Sequence, residues 1–415
     1  MRPKLVLMHR YVGLVMAPFL FIAGLTGSII AWEHELDEWL NPQLFLARTE
    51  GAPLPTTELA RRVEKADPRV QVTYMPLTVE PGKSFFASVQ PRIDPASGKP
   101  FEPGYNQVAV DPATGEIQGR REWGAVSLSR ENLLPFLYKL HYSLHLPSGG
   151  GIQIGVWLMG LIACGWVIDC FVCLPIAFPN LNAWRKSLVF RWREGGYRLI
   201  FDLHRSGGVW IWGLLLMIAV TSVSMNLQSQ VMRPIVSLFS TLTPSPFDRK
   251  PVATPDAPVI PAEQAIALAQ SEAAQRGWTA PAGALQFAPG AGLYGVGFFE
   301  HGKARGDGGL GNPWLYFDAH TGEPAGQVVP GTGTKGDIFL QAMFPIHSGR
   351  ILGLTGRILV SFLGVSIAAL CVTGIIIYTK KRRARLMQEA KQKAARLAAT
   401  VSSSDRRMSV CPCEK

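Results

Sequence analysis

Four long apolar runs constrain this chain more than any other feature. Residues 11–32 (YVGLVMAPFLFIAGLTGSIIAW) carry no charged side chain, nor do residues 207–227 or 358–378; residues 152–176 carry one, Asp169, near the far end. Each run has about 20 residues or more, enough at about 1.5 Å of rise per residue to cross a hydrocarbon core of roughly 30 Å. With 47% of its residues apolar, the chain is expected to be a membrane α-helical protein with four transmembrane helices. The first run is too long for the apolar part of a signal peptide and no small-residue cleavage site follows it, so it reads as an uncleaved anchor.

Charge then orients the spans. The formal charge is +11, and much of it flanks the runs: Arg2, Lys4 and Arg10; Arg185, Lys186, Arg191, Arg193 and Arg198; Lys380, Lys381, Arg382, Arg383 and Arg385. By the positive-inside rule these three places are cytoplasmic, which puts both termini inside and the long segments 33–151 and 228–357 outside. The basic balance is therefore a membrane signal, and no nucleic-acid partner is expected. Of six cysteines, Cys164, Cys170, Cys173 and Cys371 lie in or at the ends of spans, and Cys411 and Cys413 lie in the tail. With none in the outer segments, no disulfide framework is expected there. The Cys-Pro-Cys of the tail is a weak metal signal, having two thiols and no further ligands.

The chain is also an internal repeat. His9 and Thr26 recur 195 residues later as His204 and Thr221, within HRYVGL…TGS and HRSGGV…VTS. NQVAVDPATGEIQG and PWLYFDAHTGEPAG each read as a strand, a turn begun by Asp111 or Asp318 and closed on Gly115 or Gly322, and a second strand. Upstream of each lies a helix signature, beginning at Thr56 with a Thr cap and at Pro261. The unit of span, outer α+β module, His and span occurs twice, which predicts a pseudo-two-fold bundle with an axis along the membrane normal. The division is a first span within 1–34, a first outer module over 35–140, a His segment with the second span over 141–176, and a cytoplasmic linker over 177–203. There follow a third span over 204–228, a second outer module over 229–346, a fourth span over 347–380 and a basic tail over 381–415. The linker is aromatic and basic and suits the lipid headgroup boundary.

Six of the eight histidines fall at span ends. Repeat symmetry sets His9 against His204 near the inner surface and His141 against His347 near the outer one. His145 follows His141 by four residues and shares its face if the stretch is helical, so the outer ligand is His141 or His145, with His34 a further candidate. Facing imidazoles in a helical bundle suit the two axial positions of haem iron. Gly13, Gly24, Gly27, Gly207, Gly208, Gly213, Gly353, Gly356 and Gly364 would let a macrocycle approach the backbone, and Arg10, Arg205 and Arg350 stand where propionates would emerge. No C-x-x-C-H is present, so two b-type haems are expected. His34 reads as an interfacial residue, and His301 and His320 as surface residues of the second module. Asp169 reads as snorkelling to the cytoplasmic side or as a proton relay. No catalytic nucleophile constellation, P-loop, dinucleotide or flavin fingerprint is present. The Gly-rich stretch 306–311 (GDGGLG) reads as a hairpin tip or a loop over a substrate.

At HRYVGL…TGS, DPATGE, DAHTGE, LHYSL and IHSGRILG the sequence resembles the PepSY-associated transmembrane family of bacterial inner-membrane proteins, over nearly the whole chain up to about Lys381. The resemblance implies four spans bearing haem, two periplasmic PepSY modules, and a role in iron uptake as a ferric-siderophore reductase. Electrons would pass from a cytoplasmic or quinol donor through the two haems to a ferric siderophore or other ferric complex. Two other readings stand beside it: a membrane-tethered regulatory or binding protein without redox work, and a transporter of siderophore or iron.

Overall fold

The computed structural model describes residues 2–149, 151–250 and 259–408; Cys411 and Cys413 lie outside the described residues. In chain order the elements are α1 (Arg2–Ile30), α2 (Glu33–Leu40), α3 (Pro42–Phe45), α4 (Thr56–Ala66), β1 (Val70–Pro76), β2 (Phe85–Pro91), β3 (Gln107–Val110), β4 (Ile117–Arg121), α5 (Leu133–Ser143), the two-residue strands β5 (Ser148–Gly149) and β6 (Ile152–Gln153), and α6 (Ile154–Ala177). The second half adds α7 (Gly196–Trp210), α8 (Trp212–Leu227), α9 (Arg233–Ser237), α10 (Ala262–Gln275), β7 (Ala282–Ala288), β8 (Leu293–Phe298), β9 (Trp314–Asp318), β10 (Pro324–Val328), α11 (Lys335–His347) and α12 (Gly353–Met408).

Among the described residues four helical segments are long and apolar enough to cross a membrane: Arg2–Ile30, Ile154–Ala177, Trp212–Ser237 and Arg350–Arg396, with mean hydropathies of 2.0, 2.1, 1.4 and 2.4. The third differs from the expected continuous span. Its helix breaks at Ile211, after the Gly207–Gly208 pair, where low helix propensity weakens the ladder. His204 therefore sits on α7, ahead of the break.

The chain divides into two compact units. One comprises the N-terminal residues through Phe21, Gly165–Leu216 and the chain from Ser366 onward; the other comprises Ile22–Cys164 and Met217–Val365. The second unit contains the α+β part. The strands of the two expected modules join in one eight-stranded antiparallel sheet in the order β10-β9-β8-β7-β1-β2-β3-β4, a pairing that the sequence reading did not address. The seam is the antiparallel pairing of β1 with β7, which sets Tyr74, Met75 and Pro76 opposite Gln286, Leu285 and Ala284. An edge strand presents unpaired backbone donors and acceptors, and each module removes one such edge by pairing with the other. The core is likewise shared: Leu59 and Val63 of α4, Ala265 and Ala269 of α10, and Val70, Phe85, Val110, Val296 and Phe298 of the strands belong to one buried cluster. Alanines at 265, 269 and 273 form a stripe one turn apart that lets α10 lie close to the sheet.

Both Asp-led turns form. Asp111 Oδ1 accepts the backbone N–H groups of Ala113 and Thr114, and Asp318 Oδ1 those of His320 and Thr321. Gly115 and Gly322 close the turns at φ values of 74° and 77°, a region open to glycine at little cost. The Thr cap expected on α4 is not made: Pro55 holds the N-cap position and no side chain caps the helix. The Gly-rich stretch lies in the β8–β9 connection, tied down by the Gly308 N–H to Arg350 O bond of 2.8 Å.

In the same unit α1 and α12 meet around Ser28 and Ser361. Ser28 Oγ donates to Ser361 O at 2.8 Å, Trp32 Nε1 to Ser361 Oγ at 2.9 Å, and the Arg357 guanidinium to Ala31 O and Glu35. A Cβ at Gly364 would collide with the Gly24 carbonyl, so glycine permits this approach. In the first unit, Trp212 Nε1 donates to Cys170 O at 2.7 Å, and the fully buried Asp202 is held by Arg191 at 2.7 and 2.8 Å.

Candidate functional site

In the first unit α1 and α7 bring His9 and His204 together, with ring centroids 6.1 Å apart and planes tilted by 49°. His9 Nδ1 lies 3.0 and 2.9 Å from the two carboxylate oxygens of Asp169 on α6. His204 Nδ1 lies 3.0 Å from Leu370 O and 3.2 Å from Thr373 Oγ1, both on α12. The next residue, Gly374, makes room for the ring: a Cβ there would stand 3.0 Å from His204 Cε1.

The second unit repeats the arrangement with other residues. His141 on α5 and His347 at the end of α11 have ring centroids 6.2 Å apart and planes tilted by 58°. His141 Nδ1 lies 3.0 Å from Ala23 O and 3.1 Å from Thr26 Oγ1 of α1. His347 Nδ1 lies 3.0 Å from Thr221 Oγ1 of α8. Gly27 stands beside His141 as Gly374 stands beside His204, with the same 3.0 Å from a would-be Cβ to Cε1.

These partners fix the tautomers. Carbonyl and carboxylate oxygens only accept, so the facing Nδ1 of His9, His141 and His204 must donate. The Thr221 hydroxyl already donates to Met217 O at 2.9 Å, which leaves its oxygen to accept from His347. Thr26 and Thr373 likewise donate to Ile22 O and Ala369 O. All four rings thus carry their proton on Nδ1, and among the described residues no Nε2 of the four makes a hydrogen bond. Each pair presents two bare imidazole nitrogens, which are metal ligands in waiting.

The donor set discriminates between guests. Two nitrogens each about 2 Å from a shared metal place ring centroids about 6 Å apart, close to the observed 6.1 and 6.2 Å. A zinc ion would need further protein ligands to reach four, and no group of three or more His, Cys, Asp or Glu side chains gathers among the described residues. A porphyrin iron brings four nitrogens of its own and needs only two axial ligands. Room beside the first pair is present: a Cβ at Gly13 or Gly207, one turn from His9 and His204, would meet nothing within 4 Å. The donor set and ring spacing of both pairs therefore suit a bis-histidine haem, with open space at Gly13 and Gly207 beside the first.

The remaining candidates stand elsewhere. His145 does not share the face of His141. α5 ends at Ser143, Leu144 and His145 turn through left-handed φ values of 54° and 53°, and the ring stacks on Phe136 at 4.5 Å while Nε2 donates to Phe136 O. His34 lies edge-on to Phe45 at 6.1 Å. His301 and His320 are exposed in the second module. Arg205 is bound to Asp202 and to Lys186 O, and Arg350 to Asp307 at 2.9 Å; Arg10 makes no ion pair among the described residues. The sequence reading passed over the carboxylate and hydroxyl partners of the histidines. Asp169, as the one charge in a span, was the available signal.

Four helices able to cross a bilayer, joined to an antiparallel sheet with α4 and α10 packed on it, define a multi-pass membrane protein with PepSY-like α+β modules. A family model described as the PepSY-associated TM region matches residues 6–381, and the chain belongs to that family. No curated protein matches it.

Proposed function

We propose that this chain is a membrane electron-transfer protein that holds two b-type haems and reduces a ferric siderophore or other ferric complex outside the bacterial inner membrane. The observation that supports this best is the pairing of histidine rings at centroid separations of 6.1 and 6.2 Å, with each Nδ1 proton held by an acceptor and each Nε2 free of hydrogen bonds among the described residues. His9 with His204, and His141 with His347, would hold the two haem irons. The flanking basic residues put both termini in the cytoplasm and the modules in the periplasm. A pseudo-two-fold relation between the halves agrees with the sheet order, which runs outward through equivalent strands from the β1–β7 seam.

When bound, the porphyrin irons supply one-electron chemistry. With two histidines at each site to hold a haem iron, no protein-side position would be left for oxygen or substrate, and transfer would be outer-sphere. Thr26, Thr221, Thr373 and the Ala23 and Leu370 carbonyls orient the rings. The apolar spans keep water from them. A cytoplasmic or quinol donor provides the electron, and the iron of the ferric complex accepts it, going from ferric to ferrous. Ferrous iron is held less tightly by siderophores, which loosens the metal for uptake.

A pyridine haemochrome assay on protein purified after expression with ample haem tests the reading. Two haems per chain, a Soret band that shifts on reduction, and re-oxidation by a ferric siderophore are expected. Colourless protein would leave the tethered binding or regulatory reading in its place, and labelled iron entering proteoliposomes without reductant would favour transport.

A further inference from the structure

The two histidine pairs differ in the charge of the groups that accept their Nδ1 protons. His141, His204 and His347 give their Nδ1 protons to neutral acceptors, namely backbone carbonyls and threonine hydroxyls. His9 gives its proton to a carboxylate, with both Asp169 oxygens within 3.0 Å of Nδ1. The Asp169 side chain is 10% exposed, and among the described residues it forms no ion pair with Lys or Arg. Among the described residues its carboxylate has His9 as its one hydrogen-bond partner. Asp169 lies on α6 and His9 on α1, 160 residues apart in sequence, and the repeat offers Thr373 rather than an acid beside His204.

A carboxylate on Nδ1–H draws the proton toward itself and makes the imidazole a stronger electron donor through Nε2. The oxidised form of a metal centre has one more positive charge than the reduced form. A stronger donor and a nearby negative charge both favour the oxidised form, and the charge acts with little screening in an apolar bundle. The two effects have the same sign.

We propose that Asp169 sets the reduction potential of the centre held by His9 and His204 below that of the centre held by His141 and His347, and so gives electron flow its direction through the protein. One electron leaves the first centre, which is oxidised, and enters the second, which is reduced; no bond is made or broken and no proton need move. The electron is replaced by the cytoplasmic or quinol donor. Asp169 is on this account a positioning and tuning residue that acts through His9. The inference rests on the proposed haem content.

The test is optical redox titration of the holoprotein in detergent, for wild type, Asp169→Asn and Asp169→Glu, with haem-to-protein ratio measured on each. Two midpoints are expected in wild type. In Asp169→Asn the lower midpoint should rise toward the upper one, which stays in place, and Asp169→Glu should keep a low midpoint. Low-temperature EPR of the oxidised forms should show one of two low-spin signals shifted in Asp169→Asn. A second measurement serves if Asp169→Asn fails to fold: the centre surviving in His347→Ala should titrate with the lower wild-type midpoint. Two haems with midpoints unmoved by Asp169→Asn, or a surviving centre with the higher midpoint, would overturn the inference alone. Wild type without haem would overturn the functional reading beneath it.

Discussion

The Thr221 hydroxyl stands 3.0 Å from His347 Nδ1 and donates its own proton to Met217 O, so one threonine decides which nitrogen of that ring is free. Among the described residues His347 has no second acceptor, whereas His141 has both Thr26 Oγ1 and Ala23 O. Thr221→Val strands a buried N–H at a cost of about 1–3 kcal/mol. Loss of such an outer partner typically lowers metal-site affinity by about 10–100-fold. Haem retention against a haem-scavenging apoprotein should fall by that order in Thr221→Val and much less in Thr26→Val. Equal losses would mean that the hydroxyls do not orient the rings.

Two glycines give a second, position-specific test. A Cβ at Gly27 would stand 3.0 Å from His141 Cε1, and one at Gly374 the same distance from His204 Cε1. That is closer than carbon atoms pack at ease, so the ring must shift. Gly27→Ala should disturb only the haem signal of the His141–His347 centre, and Gly374→Ala only that of the His9–His204 centre. EPR of the oxidised variants distinguishes the two.

Much of this was legible in the sequence because membrane spans and repeats announce themselves by length and offset. The four apolar runs and the offset of His9 from His204 needed only counting. What stayed hidden depends on long-range approach. Nothing in VQVTYMP or AGALQFA says that β1 and β7 will pair with each other, since edge pairing leaves no periodic mark on either strand. The Asp169–His9 bond joins residues 160 apart, and only the rarity of a charge in a span hinted at it. The turn of His145 away from the face of His141 depends on left-handed φ at Leu144, a conformation that side-chain sterics disfavour and local sequence therefore fails to suggest.

Acid should loosen the first module through Asp67. The Arg69 guanidinium hydrogen-bonds both carboxylate oxygens at 2.9 Å, the Arg69 N–H and the Tyr105 hydroxyl add to it, and together they outweigh burial and lower the Asp67 pKa from 3.8 to about 2. A depressed carboxylate pKa stabilises the fold at pH values above the unfolded value, and this contribution fades as pH falls through the folded one. Wild type should therefore exceed Asp67→Asn in Tm by a constant margin above about pH 5, and the margin should shrink as pH falls from about 4 toward 2. A margin independent of pH over that window would remove Asp67 from the account.

The join between the sheet and the end of the first span rests on Asp37 and Arg121. Asp37 lies on α2, a few residues past α1, and Arg121 ends β4; the guanidinium nitrogens stand 2.9 and 2.7 Å from the two carboxylate oxygens, and both side chains are 3% exposed. Asn41 donates to the same carboxylate at 2.8 Å, and the guanidinium lies 5.6 and 5.4 Å from the stacked Phe45 and Phe86 rings. Removing one partner leaves a buried charge uncompensated, at about 3–5 kcal/mol, whereas replacing both by apolar groups of similar volume is often near neutral. Asp37→Leu and Arg121→Met should each lower the Tm of the sheet-bearing unit strongly, and the double variant should recover most of the loss. Additive losses in the double variant would show that each side chain is needed for contacts beyond the pair, and the coupling proposed between strand β4 and helix α2 would then lie elsewhere.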